Sequence, residues 1–504
     1  MSSSLGSLVK DTAWYGFSTI VGRLLNWLLV PFYVRILHTT GEYGIVTNVY
    51  AWIALLLVLL TYGLETGFFY FVNRSDHPSG VYKLCLRSLA VTSILFSIGA
   101  VFFSVPLSRW MLGVELPYAI IMMALIVASD AFMSLPYAYL RFTKQAKRFA
   151  LIKLSFVALN IGLNLFFLLL CPYLMLHAPA TVGWFYVEDF GIGYIFLSNL
   201  LANGVIFMLL LPAMRHARGS TPKGTLFALL RYSLPLMLLG IVGIFNQMAD
   251  KILFPFLYSD KEKALSELGI YGGCFKIAVL MVLFTQAFRY AFEPFFFEKG
   301  DGGNDSEAQK KRNLATVMKY FWVFLLFIFL GVMAFIDLLK YFVVPDYYAG
   351  LYIVPWVMWG EMMMGVALNL STWYKLTGKT SFGALISIVG CFVGVALIVF
   401  GVPIYGFKAC AWAIAISNTF IVVHSYLLGQ RYYPVKYHLL HALSYLLLAA
   451  LGYMLIYWSN HHLVAIGKWS ANILVVVAYA LLVFLPDRNL RNHCSKIWTR
   501  IISL

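Results

Sequence analysis

The chain has 504 residues, of which 62% are hydrophobic and only 12% charged, with a mean hydropathy of +0.82. Soluble domains carry about 45–50% apolar and about 25% charged residues, and a globule in water cannot hide this much apolar surface, so soluble enzymes, disordered chains and nucleic-acid-binding domains are poor readings. The formal net charge of +16, from 37 Lys and Arg against 21 Asp and Glu, is read by position, because basic residues gather on the cytosolic side of membrane proteins.

A transmembrane helix needs about 20 mostly apolar residues. Fourteen such stretches are predicted, near residues 12–36, 45–71, 84–107, 117–140, 150–174, 190–212, 229–257, 270–297, 316–344, 350–374, 382–403, 408–429, 439–458 and 469–486. The first residues lack a charged start, short apolar core and small-residue cleavage site, so the first stretch is expected to stay as a span. Transmembrane β-barrels need alternating segments of about 10 residues and do not fit. With the N-terminus placed in the cytosol, inside segments hold 26 of the Lys and Arg residues and outside segments 7. That asymmetry predicts both termini inside and an even number of spans, and it accounts for the basic balance without nucleic acid. The polar stretches at 214–225 and 298–313 read as a joint and a cytosolic loop.

An internal repeat is visible. The segment from Tyr43 aligns with that from Tyr271 at an offset of 228, pairing Gly44 with Gly272, Glu65 with Glu293 and Phe68-Phe69 with Phe296-Phe297. Upstream, Pro31-Phe32 meets Pro255-Phe256 at an offset of 224, which sets Asn26 opposite Asp250. The repeat unit is six spans, an even number, so both copies point the same way across the bilayer. The expected fold is an all-α polytopic membrane protein of about fourteen transmembrane helices. Its expected parts are a six-helix lobe at 1–213, a linker at 214–228, a second six-helix lobe at 229–430, and two extra C-terminal helices with a basic tail at 431–504. The two lobes should be related by a pseudo-twofold axis along the membrane normal, with the substrate path between them.

A charge in the hydrocarbon core costs several kcal/mol, so it generally faces the bundle interior or a water-filled cavity. Arg23 sits in the middle of the first span, with Asn26 on nearly the same face. Its alternative partners are the carboxylates of Glu65 and Asp130. Arg289 and Glu293 are four residues apart in the eighth span and form either an internal ion pair or a substrate contact. Gln247 and Asp250 lie on a second polar stripe, while Lys251 and Lys276 lie near outer ends, where they can snorkel. Substrate contacts are therefore sought at Arg23, Asn26, Gln247, Lys276 and Arg289. Coupling or structural acids are sought at Glu65, Asp130, Asp250, Glu293 and Glu361. The pairs Asn160/Asn164 and Asn199/Asn203 read as interhelical glue.

No catalytic constellation is present: HExxH, P-loop, GxSxG and GxGxxG patterns are absent in a matching context. The six cysteines have no CxxC spacing, and His461-His462 has no neighbouring ligands, so neither a metal site nor a cofactor is expected.

The opening DTAWYGFSTIVGRLLNWLLVPFYVRIL, the GEYG at 41–44, the TYGLETGFFYF at 61–71, and the matching IYGGCFK and FEPFFFEK of the second half carry a resemblance. The chain resembles the polysaccharide or O-antigen (Wzx-type) flippase branch of the multidrug/oligosaccharidyl-lipid/polysaccharide exporter superfamily. The resemblance implies a non-enzymatic flippase in the bacterial inner membrane. It would move undecaprenyl-diphosphate-linked oligosaccharide units, precursors of O-antigen or of capsule and exopolysaccharide, to the outer leaflet. It also implies membrane lipid as an environment and a polysaccharide polymerase with chain-length machinery as partners. By position Arg23 and Arg289 match the cations thought to engage the diphosphate or acidic sugars. Runner-up readings are a peptidoglycan-precursor flippase, which should carry more cavity arginine, and a multidrug or cation antiporter, whose cavity should be acidic or aromatic.

Overall fold

The computed structural model describes residues 14, 16, 18–297 and 307–485, without the side chains of 290–297, 465 and 484. Among the described residues, fourteen helices are long and apolar enough to cross a membrane. They run Ser18–Ile36, Thr40–Val72, Pro78–Phe102, Pro117–Phe142, Ala146–His177, Gly193–Met214, Thr225–Leu257, Lys261–Arg289, Glu307–Ala334, Pro345–Leu376, Thr380–Tyr405, Phe407–Tyr432, Leu439–His462 and Ile466–Val483, and are numbered here as spans one to fourteen. No strand occurs among the described residues. A backbone in lipid must satisfy its own hydrogen bonds, and helices do so locally.

Local chemistry sets the helix ends. Thr39 caps span two by accepting the Glu42 N–H through Oγ1 at 3.2 Å, and Glu42 reaches back to accept the His38 N–H at 2.9 Å. This is a capping box built into the GEYG motif. Proline opens spans three, four and ten, where its missing N–H costs nothing. Gly406, at φ +61°, makes the turn between spans eleven and twelve, a break that sequence alone placed only loosely at 403–406. Span two is itself broken: Tyr62 and Gly63 are both left-handed, at φ 31° and 72°. The helix restarts at Leu64, which re-aims Glu65.

The chain divides into two compact units. The first holds residues up to Lys276 with Pro345–Gly350 and Ser387–Ala413. In it, span four packs against spans two, three and six, span five against span six, and span seven against span two. Its core includes Phe68, Tyr82, Leu89 and Leu135, all fully buried. The second unit holds Ile277–Val344, Leu351–Ile386 and Ile414 onward. There span nine packs against spans ten, thirteen and fourteen. Asn472 of span fourteen donates to the Ala334 carbonyl at 2.9 Å and to Asn460 at 2.8 Å, tying the C-terminal pair to span nine. Large apolar side chains stand exposed in rows, among them Val91, Ile94, Leu95 and Ile98 on span three and Leu447, Leu451, Met454 and Leu455 on span thirteen. Such faces are stable against lipid and unstable against water.

Candidate functional site

In the first unit the repeat becomes a set of contacts. Trp27 of span one donates its indole N–H to the carbonyl of Lys276 on span eight at 2.6 Å. Asn48 of span two donates its amide to the carbonyl of Lys251 on span seven at 2.7 Å. Trp27 and Lys251 correspond at the offset of 224, and Asn48 and Lys276 at 228. The two bonds thus join repeat-equivalent positions crosswise, as a local twofold requires.

The same unit gathers several of the residues singled out above. Arg23 and Asn26 are exposed on span one. Arg23 lies one helical turn before Trp27 on the same helix, and Trp27 holds the backbone of Lys276 on span eight. Span one touches span five at Gly22, where an added Cβ would meet Val157 at 3.3 Å. Lys276 is fifteen residues into a helix that begins at Lys261, roughly 22 Å along it by helix rise. The helix thus begins nine residues before the predicted edge of span eight at 270, in the polar stretch KEKALSEL. Its ammonium makes no ion pair among the described residues, and its half-exposed side chain feels the like charge of Lys251.

Lys251 does not snorkel. It is 8% exposed, bonds Asp250 Oδ2 at 2.6 Å, and lies 4.0 Å from the Phe275 ring. Asp250 also accepts the Tyr271 hydroxyl at 2.5 Å. Asp250 is therefore bound into a buried clamp between spans seven and eight, and Gln247, one turn earlier, is exposed and bonds only its own helix at Gly243.

The alternative partners of Arg23 are engaged elsewhere. Glu65 is paired with Arg141, whose guanidinium also lies over the Phe69 ring. Asp130 accepts the Asn203 amide at 2.9 Å, and Asn203 also reaches Ser129 at 2.9 Å. Asn199 donates to Tyr50 at 3.3 Å, so both members of that asparagine pair join spans. Asn164 instead bonds Asn160 within its own helix. Lys153 lies inside span five. Its charge is felt by Asp130, Arg141, Glu65 and Arg23, which makes it a member of the polar wall that sequence reasoning missed. The signal available was its place in an unbroken helical pattern beginning at Ala146.

Two candidates lie in the second unit. Arg289 is exposed on span eight, and Glu361 is half-buried on span ten beside Gly360, whose carbonyl accepts Asn418 at 3.0 Å. The side chain of Glu293 lies outside the described residues, as does Cys494. The second unit also contains a cavity of about 200 Å³ between spans nine, ten, twelve and thirteen, lined by Met318, Trp322, Met363, Tyr426 and Leu439, with Lys319 and His438 at it.

A family described as polysaccharide biosynthesis protein matches residues 8–298. The chain belongs to that family. Among solved structures it is similar to the lipid II flippase MurJ in an inward closed conformation, with a TM-score of 0.71 and 11% identity over 95% of this chain and 99% of that one. It is also similar to an inward-facing multidrug resistance MATE family transporter of the MOP superfamily, with a TM-score of 0.61 and 15% identity over 81% and 94%. A third likeness is a mutant of the Vibrio cholerae MATE transporter VcmN, at a TM-score of 0.55 and 16% identity over 85% and 98%. No curated protein matched the sequence. The shared fold is that of transporters and flippases rather than enzymes, and this polysaccharide-biosynthesis chain is a multi-pass membrane protein of that fold.

Proposed function

We propose that this protein is a flippase that carries undecaprenyl-diphosphate-linked oligosaccharide units across the bacterial inner membrane by alternating access. The observation that supports the reading is a membrane span exposing Arg23 and Asn26, anchored through Trp27 to the backbone of Lys276, in a chain of this family. Cations on a membrane-embedded helical wall suit a phosphate headgroup, and the guanidinium fork of Arg23 matches phosphate oxygens in pairs. Gln247, exposed on span seven, offers neutral hydrogen bonds to sugar hydroxyls, and Arg289 is a further candidate cation.

In this reading both termini face the cytosol, two six-helix lobes of residues 1–213 and 229–430 rock against each other, and residues 431–504 add two outer helices. Glu65, Asp250 and Asp130 are structural in the closed arrangement, each already bound. Glu293 and Glu361 are further candidate coupling acids. A polysaccharide polymerase and its chain-length machinery would consume the product on the outer side.

The test is deletion of the gene in its host. Loss of surface polysaccharide, with lipid-linked units accumulating in the inner leaflet and restored export on re-expression, supports the reading. Unchanged surface polysaccharide sinks it. The likeness in fold to a lipid II flippase favours a second reading, a peptidoglycan-precursor flippase. That reading predicts arrested wall synthesis and lysis on depletion rather than a polysaccharide defect. A multidrug antiporter is disfavoured, because a cationic wall repels cationic drugs.

A further inference from the structure

Lys153 is seven residues into span five, about 10 Å along the helix from Ala146. Its side chain is exposed, and its ammonium makes no hydrogen bond and no ion pair with any described residue. It lies instead 5.4 Å from the Tyr137 ring and 5.8 Å from the Phe149 ring. Those two rings pack edge to face, with centroids 5.4 Å apart, and form a fixed corner. The charged groups around it are Asp130 and Arg141 on span four, Glu65 on span two and Arg23 on span one. The nearer acids are already bound: Glu65 by Arg141, and Asp130 by Asn203. Neither acid is within ion-pair distance of the Lys153 ammonium, which stands instead against an aromatic corner.

An ammonium in that setting is held by ring quadrupoles and by longer-range attraction to Asp130, without a counter-ion in contact. A lysine that only snorkelled would extend past the end of the helix into water. This one rests on the aromatic corner, next to the span-one face that carries Arg23, because Gly22 brings span one against Val157, one turn beyond Lys153.

We propose that Lys153 is an anion-contacting residue of the substrate path and takes an acidic oxygen of the translocated headgroup. The same chemistry is offered by the diphosphate linker and by an acidic sugar, and the experiment separates them. The proposal rests on the flippase reading above. Lys153 then sits where the headgroup passes from the mouth of the path toward Arg23, and the Tyr137 and Phe149 faces give a sugar ring an apolar surface beside the charge.

The experiment measures binding to the purified full-length protein in detergent with two probes. One is undecaprenyl diphosphate, and the other is an undecaprenyl-diphosphate-linked oligosaccharide bearing a uronic acid. Lys153→Ala should weaken at least one by about tenfold, the scale of one hydrogen bond to a charged group. Lys153→Arg should recover most of it. Weakening with undecaprenyl diphosphate assigns the linker, and weakening confined to the acidic glycan assigns the sugar. Equal binding of both probes by wild type and Lys153→Ala overturns the proposal. Wild type that binds neither probe overturns the flippase reading itself. Lys153→Met keeps the aliphatic stem on the aromatic corner and serves if Lys153→Ala does not fold. If Lys153→Met also loses the folded state by thermal unfolding, the lysine is structural and the proposal fails.

Discussion

Gly44 and Gly269 hold spans two and eight in backbone contact. A Cβ on Gly269 would lie 1.8 Å from the Thr40 carbonyl oxygen, and one on Gly44 would lie 1.9 Å from that of Leu265. Both glycines belong to the repeated Gly-x-Tyr-Gly motif, GEYG at 41–44 and GIYG at 269–272. Small residues at a helix crossing let membrane helices approach closely enough for dispersion to hold them. Beside them the hydroxyls of Thr40 and Ser266 are 2.6 Å apart.

The first prediction follows from that crossing. In the proposed orientation it lies on the outer side, and alternating access would require it to open. A Thr40→Cys, Ser266→Cys pair should cross-link readily, since the two side chains already meet within disulfide reach. Export should stop in the cross-linked protein and return with reductant. Full export from a completely cross-linked protein would show that the crossing stays shut throughout the cycle. Gly269→Ala should destabilise the closed form by about 1–3 kcal/mol, the usual cost of overpacking, read as a lower thermal midpoint.

Arg23→Ala should abolish surface polysaccharide while leaving the amount of protein in the membrane unchanged. Arg23→Lys should keep partial export, because the charge survives and the paired-donor geometry does not. Glu65 and Asp130 are bonded to Arg141 and Asn203, so adding Glu65→Gln to Arg23→Ala should restore nothing. Immunoblots of membranes alongside polysaccharide staining decide between these outcomes.

The clamp at Asp250 makes the opposite demand. Removing the carboxylate strands the buried Lys251 ammonium. Asp250→Ala should therefore cost about 3–5 kcal/mol and deplete the folded protein. Asp250→Asn with Lys251→Met removes both charges together and should recover much of the loss. A double variant as unstable as Asp250→Ala would contradict this account.

Asp337 follows span nine and accepts from Lys468 at 2.5 Å and from Lys340 at 3.1 Å. Partial burial raises its pKa, but the two ammonium groups outweigh it and hold the carboxyl below its ordinary value of 3.8. A folded-state pKa below the unfolded one adds stability above the unfolded pKa, and that contribution is lost as pH falls through the folded value. The wild type should thus be more stable than Asp337→Asn near neutral pH, and the gap should close below about pH 4. Thermal midpoints of both proteins between about pH 7 and about pH 3 test this. A gap that persists at the acid end would mean that packing, not charge, is responsible.

Much of the protein was legible in its sequence for one reason: lipid imposes a local rule. Each span must be apolar, long enough and hydrogen-bonded within itself, so composition and run length alone identify fourteen helices. The repeat was legible in Tyr43-Gly44 and Tyr271-Gly272 with Glu65 and Glu293 at matching distances, and Gly44 sits at a crossing that admits no side chain. Side-chain partnerships were not legible, because they depend on which helix faces are brought together. Glu65 pairs with Arg141, a residue distant in sequence, after the break at Tyr62 and Gly63 restarts the helix just before it. Lys251 is clamped by Asp250, which also accepts the Tyr271 hydroxyl, instead of reaching water. Lys153 joins the wall with Asp130 and Arg23 through the contact of Gly22 with Val157. Hydropathy is a property of each segment, whereas the pairing of a buried charge is fixed only when tertiary packing sets the distances over which Coulomb forces and desolvation compete.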